Sequence, residues 1–272
     1  MPGGKGANQA ASAALLGGRV AMVGAVGDDA NGELLSRSLD AAGVDTSRLN
    51  RVPGVATGTA MITVSAAGEN TIVISPGAND VLTVAEVAAS DAFDERAVLG
   101  LCLEIDLAVV TAAARRANDA GAAVLLNLSP FATVPPELLA ATDVLLLNEH
   151  EASQLLGVDV ETTEPAAVVR ALAEHGITRA VVTRGSAGSS VFDEGVFTAV
   201  EAFRVRAVDT TGCGDAFMGA LAVRLAAGDT LAVAARFAAA VGAYAATGEG
   251  AQASYPTLAE LDEFLAGRGS EG

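Results

Sequence analysis

Seven residues late in the chain combine glycines, small side chains and a carboxylate just before an apolar helical pattern: Asp209, Thr210, Thr211, Gly212, Cys213, Gly214 and Asp215. The glycines allow backbone N–H groups to turn toward one point, and the N-terminus of the helix adds positive potential there. Anionic oxygens would bind at that point. Asp215 lies within reach of a nucleophile brought to the same place and could accept its proton. An anion site with a base beside it indicates phosphoryl transfer.

Other glycine-rich motifs fit this run poorly. No Gly-Lys-Ser/Thr follows at Walker A spacing, and no third glycine completes a dinucleotide-binding fingerprint. Residues 184–188 lack the first glycine of a nucleophile elbow, and the chain has only 2 histidines, which disfavours a Ser-His-Asp hydrolase. A strand-to-helix connection whose glycines serve packing alone is the structural alternative. Kinase chemistry is the functional hypothesis that remains.

The composition limits the partners. The chain has 272 residues, of which 51% are hydrophobic, and a formal net charge of −17. That charge would repel the phosphates of a nucleic acid or an anionic membrane, so neither is an expected partner. The two cysteines, Cys102 and Cys213, are far apart, which predicts no disulfide scaffold and a reducing cytoplasm. No signal peptide or membrane-length apolar run is evident.

Short aliphatic runs alternate with helical patterns. The runs are at residues 20–26, 98–103, 123–128, 144–147 and 180–183. Apolar strands separated by helices predict an α/β fold with a mostly parallel sheet covered on both faces. Residues 57–65 and 70–75, joined by 66–69, predict a β-hairpin inserted between α/β units, which would be either a lid over a site or a surface hairpin without a role.

The N-terminal residues carry a second polar cluster. Glycines at positions 3, 4 and 6 permit close backbone approach, and Lys5, Asn8 and Gln9 offer hydrogen-bonding groups. Such groups suit a polyhydroxylated ligand, which needs many directional donors and acceptors. By itself, a Gly-Gly-Lys-Gly run at a terminus is more often a flexible tail.

Gly-Gly-Lys-Gly-Ala-Asn-Gln at 3–9, taken together with Asp-Thr-Thr-Gly-Cys-Gly-Asp-Ala-Phe at 209–217, resembles the paired signatures of the ribokinase (PfkB-type) family of carbohydrate kinases. Asn-Glu-His-Glu at 148–151 resembles the family's Asn-x-x-Glu element. The loop at 183–188 resembles its nucleotide-phosphate loop, and the segment 248–254 resembles the part that helps bind a monovalent cation. The resemblance covers residues 3 to about 265. It implies one ribokinase-like kinase domain over 1–272, with three α/β/α layers, a mostly parallel sheet and a small β-lid at 55–77.

The resemblance also implies roles for single residues. Asp215 would be the base, and the transferred phosphoryl group would be bound by Gly212, Cys213 and Gly214. ATP and Mg²⁺ would be bound by Asn148, Glu151, Thr183, Gly185, Ser186, Gly188 and Gly214. The sugar would contact Gly3, Gly4, Lys5, Asn8, Glu104 and Asp215. A potassium ion would be surrounded by Asp209, Thr211, Ala245, Gly248, Gly250 and Ser254.

For several of these residues the alternative is a purely structural role. Asn148 and Glu151 could simply cap a helix, and Glu104 could be an ordinary carboxylate at a strand end. Cys213 could be favoured as a thiolate at a helix start, or could simply fill a small-residue position.

The chain departs from the family pattern at its start. Roughly the first 40 residues of that pattern have no counterpart, which would leave a row of backbone donors and acceptors uncovered. Two explanations compete: a truncated start, or a shortened homologue with weak sugar binding.

The activity expected from the resemblance is ATP-dependent phosphorylation of the primary hydroxyl of a pentose, D-ribose above all. Alternatives are a kinase for another sugar or a nucleoside, and a non-catalytic sugar- or nucleotide-binding homologue. The partners would be the sugar, ATP and, through the lid, a second copy of the chain.

Overall fold

The computed structural model describes residues 1–64, 70–88, 93–94 and 97–268. Its helices are α1 (Lys5–Leu15), α2 (Ala30–Ala42), α3 (Val84–Ala88), α4 (Leu107–Asp119), α5 (Pro136–Ala140), α6 (Glu149–Leu156), α7 (Pro165–Glu174), α8 (Cys213–Ala226), α9 (Leu231–Ala245) and α10 (Leu258–Arg268). Its strands are β1 (Gly24–Gly27), β2 (Leu49–Val52), β3 (Thr59–Val64), β4 (Asn70–Ser75), β5 (Val98–Leu101), β6 (Ala123–Asn127), β7 (Val144–Asn148), β8 (Arg179–Thr183), β9 (Ser189–Asp193) and β10 (Val196–Val200).

A six-stranded sheet forms the centre of the fold, in the order β10-β9-β8-β7-β6-β5. Strands β5 to β8 are parallel. Strand β9 pairs antiparallel with β8, and β10 pairs antiparallel with β9 at the edge of the sheet. Helices connect the parallel strands, as short apolar strands separated by helices require. The predicted α/β class and mostly parallel sheet are confirmed.

Successive side chains of the central strands enter two different cores. Leu126 and Leu145 pack with α4 to α7 on one face of the sheet, and Leu125 and Leu146 pack with α8 and α9 on the other. All four are buried. A strand that is covered on both faces has no polar side to show, which explains why these strands are continuously apolar in sequence.

Two smaller sheets lie outside the central one. Strands β1 and β2 pair in parallel, so the predicted strand at 20–26 is wrong in position: it spans Gly24–Gly27 and joins a separate two-stranded sheet. Strands β3 and β4 form the predicted antiparallel hairpin. The connection predicted at 66–69 lies outside the described residues. Met61 and Val73 on this hairpin are largely exposed.

The sequence pattern predicts helices at 107–120, 216–227 and 230–247, and these agree with α4, α8 and α9 to within a few residues at each end. Among the described residues, no helix has the length and apolar character needed to cross a membrane.

Candidate active site

A cleft of about 150 Å³ opens at the carboxyl ends of the parallel strands. Its walls come from the loop after β6, the ends of β7 and β8, the start of α1 and the start of α8: Lys5, Asn127, Ser129, Leu146, Leu147, Asn148, Glu151, Thr183, Gly212, Gly214 and Asp215. Ligands of open α/β sheets bind outside these strand ends. The cleft therefore brings together residues of the N-terminal cluster at 3–9, the element at 148–151 and the run at 209–215, which lie far apart in the sequence.

Asp215 occupies the first turn of α8, and its side chain is 7% exposed. Its Oδ2 accepts a hydrogen bond from Asn8 Nδ2 at 2.9 Å, and its Oδ1 accepts one from Gln9 Nε2 at 3.0 Å. Both amides come from α1. Each carboxylate oxygen thus has a donor that fixes the rotation of the group, while the same group lines the cleft.

Close packing of α1 on α8 makes this clamp possible. A Cβ placed on Gly219 would lie 2.6 Å from Gln9 O and 2.8 Å from Ala13 N, so only glycine permits this approach. Ser12 Oγ donates to Ala216 O at 3.0 Å and fixes the axial position of one helix on the other.

The surroundings of Asp215 shift its acidity. Burial raises the pKa of the carboxyl above its ordinary value of 3.8, while the Lys5 ammonium and the amides of Asn8 and Gln9 oppose that shift without cancelling it. A carboxylate with a raised pKa binds a proton more strongly, which suits a general base.

The residues before Asp215 present main-chain amides to the cleft. Gly212 precedes the helix at φ 75°, a left-handed conformation that glycine adopts without strain. Gly214 lies in the first turn, where amides have no carbonyl partner within the helix. Both glycines line the cleft, whereas the Cys213 N–H donates to Thr210 O at 3.2 Å. In the part of the chain that the structure describes, no backbone hydrogen bond is donated by the N–H of Gly212 or of Gly214, so these two amides, rather than that of Cys213, are available as donors.

Cys213 is not a thiolate. Burial, followed by the charges of Asp209 and Asp215, raises the pKa of its thiol to about 11. The side chain stays protonated at neutral pH and fills space at the helix start, its Sγ 3.9 Å from Asp209 O.

Tyr255 supports the helix mouth from behind. Its hydroxyl donates to Gly212 O at 2.9 Å, and a Cβ on Gly212 would lie 2.5 Å from that hydroxyl oxygen. Burial raises the pKa of the Tyr255 phenol, so the group remains a donor. Because this hydrogen bond holds the Gly212 carbonyl, the peptide group between Gly212 and Cys213 has a fixed orientation.

Asn148 and Glu151 form a reciprocal cap at the start of α6. Asn148 Oδ1 accepts from Glu151 N, and Glu151 Oε2 accepts from Asn148 N, both at 2.8 Å. The capping alternative is therefore present in the structure. It does not exhaust the pair, since both residues also line the cleft and Glu151 is buried there.

The loop after β8 lies beside this cap. Thr183 ends the strand on the cleft wall, and its hydroxyl donates to Leu147 O at 3.3 Å. Gly185 and Ser186 form an exposed 3-10 turn that is closed when Arg184 N donates to Gly188 O at 2.8 Å. Gly188 itself is buried.

The N-terminal cluster meets Glu104 after β5. Lys5 N donates to Glu104 Oε2 at 2.7 Å, just after Gly4, which precedes α1. Burial raises the pKa of the Glu104 carboxyl, and the nearby Asp215 charge adds to the shift. Gly3 directly precedes Gly4 in sequence. The N-terminal cluster, bonded to Glu104 through Lys5 N, therefore lies on the α1 side of Asp215.

The segment predicted to hold potassium is brought together beside the helix mouth. Asp209 Oδ1 accepts from Thr211 N and its Oδ2 from Gly250 N, both at 2.9 Å. These bonds lower the pKa of the Asp209 carboxyl, which stays charged. Ser254 Oγ donates to Gly250 O at 2.8 Å. Ala245 and Gly248 are joined by a backbone hydrogen bond of 3.2 Å in the same turn.

Several residues at the site were missing from the predicted set. Asn127 and Ser129 line the cleft after β6, Gln9 completes the clamp, and Gln252 and Tyr255 stand behind it. Gln9 lies within the N-terminal polar cluster and could have been found from it. The others carry no local signal, because their contacts are set by distant parts of the chain.

Comparison with known proteins places the chain in a family. The pfkB family carbohydrate kinase pattern matches residues 1–258. A ribokinase of Haemophilus influenzae is 38% identical over 266 residues, covering 97% of this chain and 87% of the relative. A deoxyribokinase of Salmonella typhi is 35% identical with the same coverage, 97% and 87%. The structure of an Arabidopsis thaliana ribokinase complexed with ribose and ATP is 32% identical, with a TM-score of 0.86 over 97% of this chain and 87% of that one. The chain therefore belongs to the pfkB family of carbohydrate kinases.

The comparisons do not bear out the expected absence of roughly 40 residues of the family's N-terminal pattern. The family match begins at residue 1, and the alignment with the Haemophilus ribokinase covers 97% of this chain and 87% of that relative.

Proposed function

We propose that this carbohydrate kinase transfers the terminal phosphoryl group of ATP to the primary hydroxyl of a pentose, with D-ribose as the preferred acceptor. The observation that carries the proposal is the buried Asp215 residue, which lines the cleft beside Gly212 and Gly214, whose amides have no partner among the described residues. The ribokinase relative and the ribose and ATP complex of the Arabidopsis structure support the choice of substrates.

The reaction needs positioning and charge neutralisation more than covalent chemistry. Asp215 accepts the proton of the sugar hydroxyl while the oxygen of that hydroxyl forms a bond to the γ-phosphorus of ATP. The bond from that phosphorus to the bridging oxygen breaks, and ADP leaves with the electron pair. The Gly212 and Gly214 amides donate to the phosphoryl oxygens, and the N-terminal end of α8 adds positive potential.

The sugar is bound on the α1 side of the cleft. Asn8 uses one N–H on Asp215 and retains a second that can donate to a sugar hydroxyl. The Lys5 ammonium can donate as well, and the Glu104 carboxylate can accept. The backbone of Gly3 and Gly4 completes this polar wall without side chains that would occupy the sugar's space.

The nucleotide is bound on the α6 side, by Asn148, Glu151, Thr183, Gly185, Ser186 and Gly188. Glu151 suits Mg²⁺, because its buried carboxylate faces the cleft and, within the described residues, only its Oε2 carries a hydrogen bond. Carboxylate and amide oxygens are the hard donors that this ion takes. When bound, Mg²⁺ would neutralise phosphate charge.

A monovalent cation, K⁺, fits beside the helix mouth. The proposed ligand set combines the Asp209 carboxylate with hydroxyl and carbonyl oxygens of Thr211, Ala245, Gly248, Gly250 and Ser254. Across the described ranges no cluster of three acidic, histidine or cysteine side chains exists to hold a divalent ion. Carbonyl oxygens are typical K⁺ ligands.

The remaining assignments follow the same lines. Residues 1–272 form one kinase domain, with the hairpin at 55–77 as its lid. The exposed apolar Met61 and Val73 on that hairpin favour a homodimer through the lid. The location we propose is the cytoplasm, because the two cysteines, Cys102 and Cys213, form no disulfide and suit a reducing compartment.

A coupled assay of ADP release tests the proposal. Purified chain is given ATP and Mg²⁺ with D-ribose, 2-deoxy-D-ribose, D-fructose or adenosine, each with and without KCl. We expect the highest kcat/KM with D-ribose, stimulation by K⁺ over Na⁺, and a phosphate on the primary carbon by ³¹P NMR. A higher kcat/KM with any other acceptor would overturn the substrate assignment, and no ADP release with any acceptor would overturn the activity.

A further inference from the structure

A line of four polar side chains runs from the surface helix α2 to Asp215. Ser38 Oγ donates to Gln252 Oε1 at 2.7 Å, and Gln252 Nε2 donates to Asn8 Oδ1 at 3.1 Å. Asn8 Nδ2 then donates to Asp215 Oδ2 at 2.9 Å. The line crosses α2, the 3-10 turn at Gln252–Ser254, α1 and α8.

The Asp215 carboxylate at the end of this line determines which group donates and which accepts in each of its hydrogen bonds. An ionised carboxylate only accepts hydrogen bonds, so Asn8 must turn its NH₂ group toward Asp215. Its oxygen then faces Gln252 and needs a donor, because Asn8 is buried and an unpaired buried oxygen is costly. The Gln252 NH₂ group supplies that donor, and its own oxygen accepts from the Ser38 hydroxyl.

We propose that Gln252 is a positioning residue: by presenting a donor to Asn8 Oδ1, it secures the orientation in which Asn8 donates to Asp215, an orientation that an acceptor at the same position would oppose. The inference rests on the proposed function, since Asp215 is the base of that reaction. Gln252 does not touch the cleft lining itself. It acts through Asn8, and it links the turn beside the helix mouth to the catalytic carboxylate.

A purely structural role makes a different prediction. If Gln252 only joins α2 to the C-terminal turn through Ser38, an isosteric Gln252→Glu change keeps that bond and is mild, while Gln252→Leu loses it and is severe. If Gln252 orients Asn8, the order is reversed. Glutamate presents an acceptor to Asn8 and competes with Asp215 for its NH₂ group, whereas leucine leaves the orientation set by Asp215 alone.

The experiment compares kcat and KM of the full chain with those of Gln252→Glu and Gln252→Leu at alkaline pH, where the new carboxyl is ionised. We expect kcat to fall about 10- to 100-fold for Gln252→Glu and no more than about fivefold for Gln252→Leu, with KM for ATP unchanged in both. Ala253→Glu, which adds the same charge at the exposed neighbouring position, is the control and should retain its kcat. Thermal unfolding shows whether each variant is folded.

A Gln252→Glu variant at least as active as Gln252→Leu would overturn the proposal, as would an equal loss in Ala253→Glu. A second readout does not depend on turnover: the Asn8 side-chain NH₂ resonances should shift in Gln252→Glu and stay near their parent positions in Gln252→Leu. Unshifted resonances in Gln252→Glu would also overturn it. If the parent chain phosphorylates no acceptor, the proposed function fails, and the resonances still decide the role of Gln252.

Discussion

The two sides of the cleft differ in how their polar groups are held by hydrogen bonds. On the base side, formed by Asp215, Asn8, Gln9 and Gly212, each polar group is held by another helix or turn. In the loop at 184–188, which belongs to the proposed nucleotide side, the described hydrogen bonds stay within the loop, and Gly185 and Ser186 are exposed. The loop can adjust to a ligand, whereas the carboxylate is already in place.

The difference follows from what each side must do. Proton transfer requires a base within hydrogen-bond reach of one hydroxyl, so its geometry has to be fixed before the substrate arrives. A phosphate chain has many equivalent oxygens and can be bound by a loop that closes on it. The contrast predicts that changes on the base side reduce kcat, whereas changes in the loop at 184–188 alter KM for ATP.

The largest effect is expected from Asp215→Asn. Without the base, kcat should fall on the order of 10²- to 10⁴-fold, while nucleotide binding is retained. Asparagine has one acceptor oxygen for two amide donors, so the free energy of unfolding should fall by no more than about 1–3 kcal/mol. Steady-state kinetics, ATP titration and urea unfolding measure the three quantities. Near-parent turnover in a folded variant would contradict the base assignment.

Glu151→Gln tests the side of the cleft where capping and catalysis overlap. Glutamine at this position preserves the reciprocal cap with Asn148 but removes the charge. We expect kcat to fall about 10- to 100-fold with a higher Mg²⁺ requirement, and stability to remain within about 1 kcal/mol of the parent. A variant with parent kinetics at every Mg²⁺ concentration would reduce Glu151 to a helix cap.

Tyr255→Phe removes the hydroxyl that holds Gly212 O and leaves the ring. Because one hydrogen bond that orients the helix mouth is lost, kcat should fall roughly tenfold with little change in KM for the sugar. The chain's other tyrosine, Tyr244, provides a matched control. It belongs to α9, its ring packs against Phe264 of α10, and it does not line the cleft. Equal kinetics in Tyr255→Phe and Tyr244→Phe would show that Gly212 needs no such support.

Ser186→Ala should have the smallest effect. The exposed hydroxyl would contact only the nucleotide, so KM for ATP should rise about two- to fivefold while kcat stays constant. Initial rates at saturating and limiting ATP separate the two parameters. A fall in kcat larger than the rise in KM would break the proposed division between the two sides.

The sequence allowed the local features of the site to be predicted, since a helix mouth and its carboxylate lie within seven consecutive residues. The clamp could not be predicted in the same way, because Asn8 is 207 positions from Asp215 and the contact depends on how closely α1 packs on α8. Gln252 lies within the segment 248–254, where the resemblance implied roles only for the glycines and the serine, and Tyr255 follows directly after that segment.

The fold shows the same limit. Aliphatic runs predicted the central strands because both faces of that sheet are buried. The run at 20–26 carries the same apolar signal, yet its strand is short and pairs with β2 outside the central sheet. Strand pairing depends on the path of the whole chain, and composition does not record it.

The central claim is that Asp215 deprotonates the hydroxyl that receives the phosphate. A crystal structure of the chain with D-ribose and ADP tests this most directly. The account predicts the primary hydroxyl about 2.6–3.2 Å from a carboxylate oxygen of Asp215, on the same side as the Gly212 and Gly214 amides. A bound sugar whose primary hydroxyl lies beyond hydrogen-bond reach of Asp215, with the carboxylate contacting only Asn8 and Gln9, would contradict it.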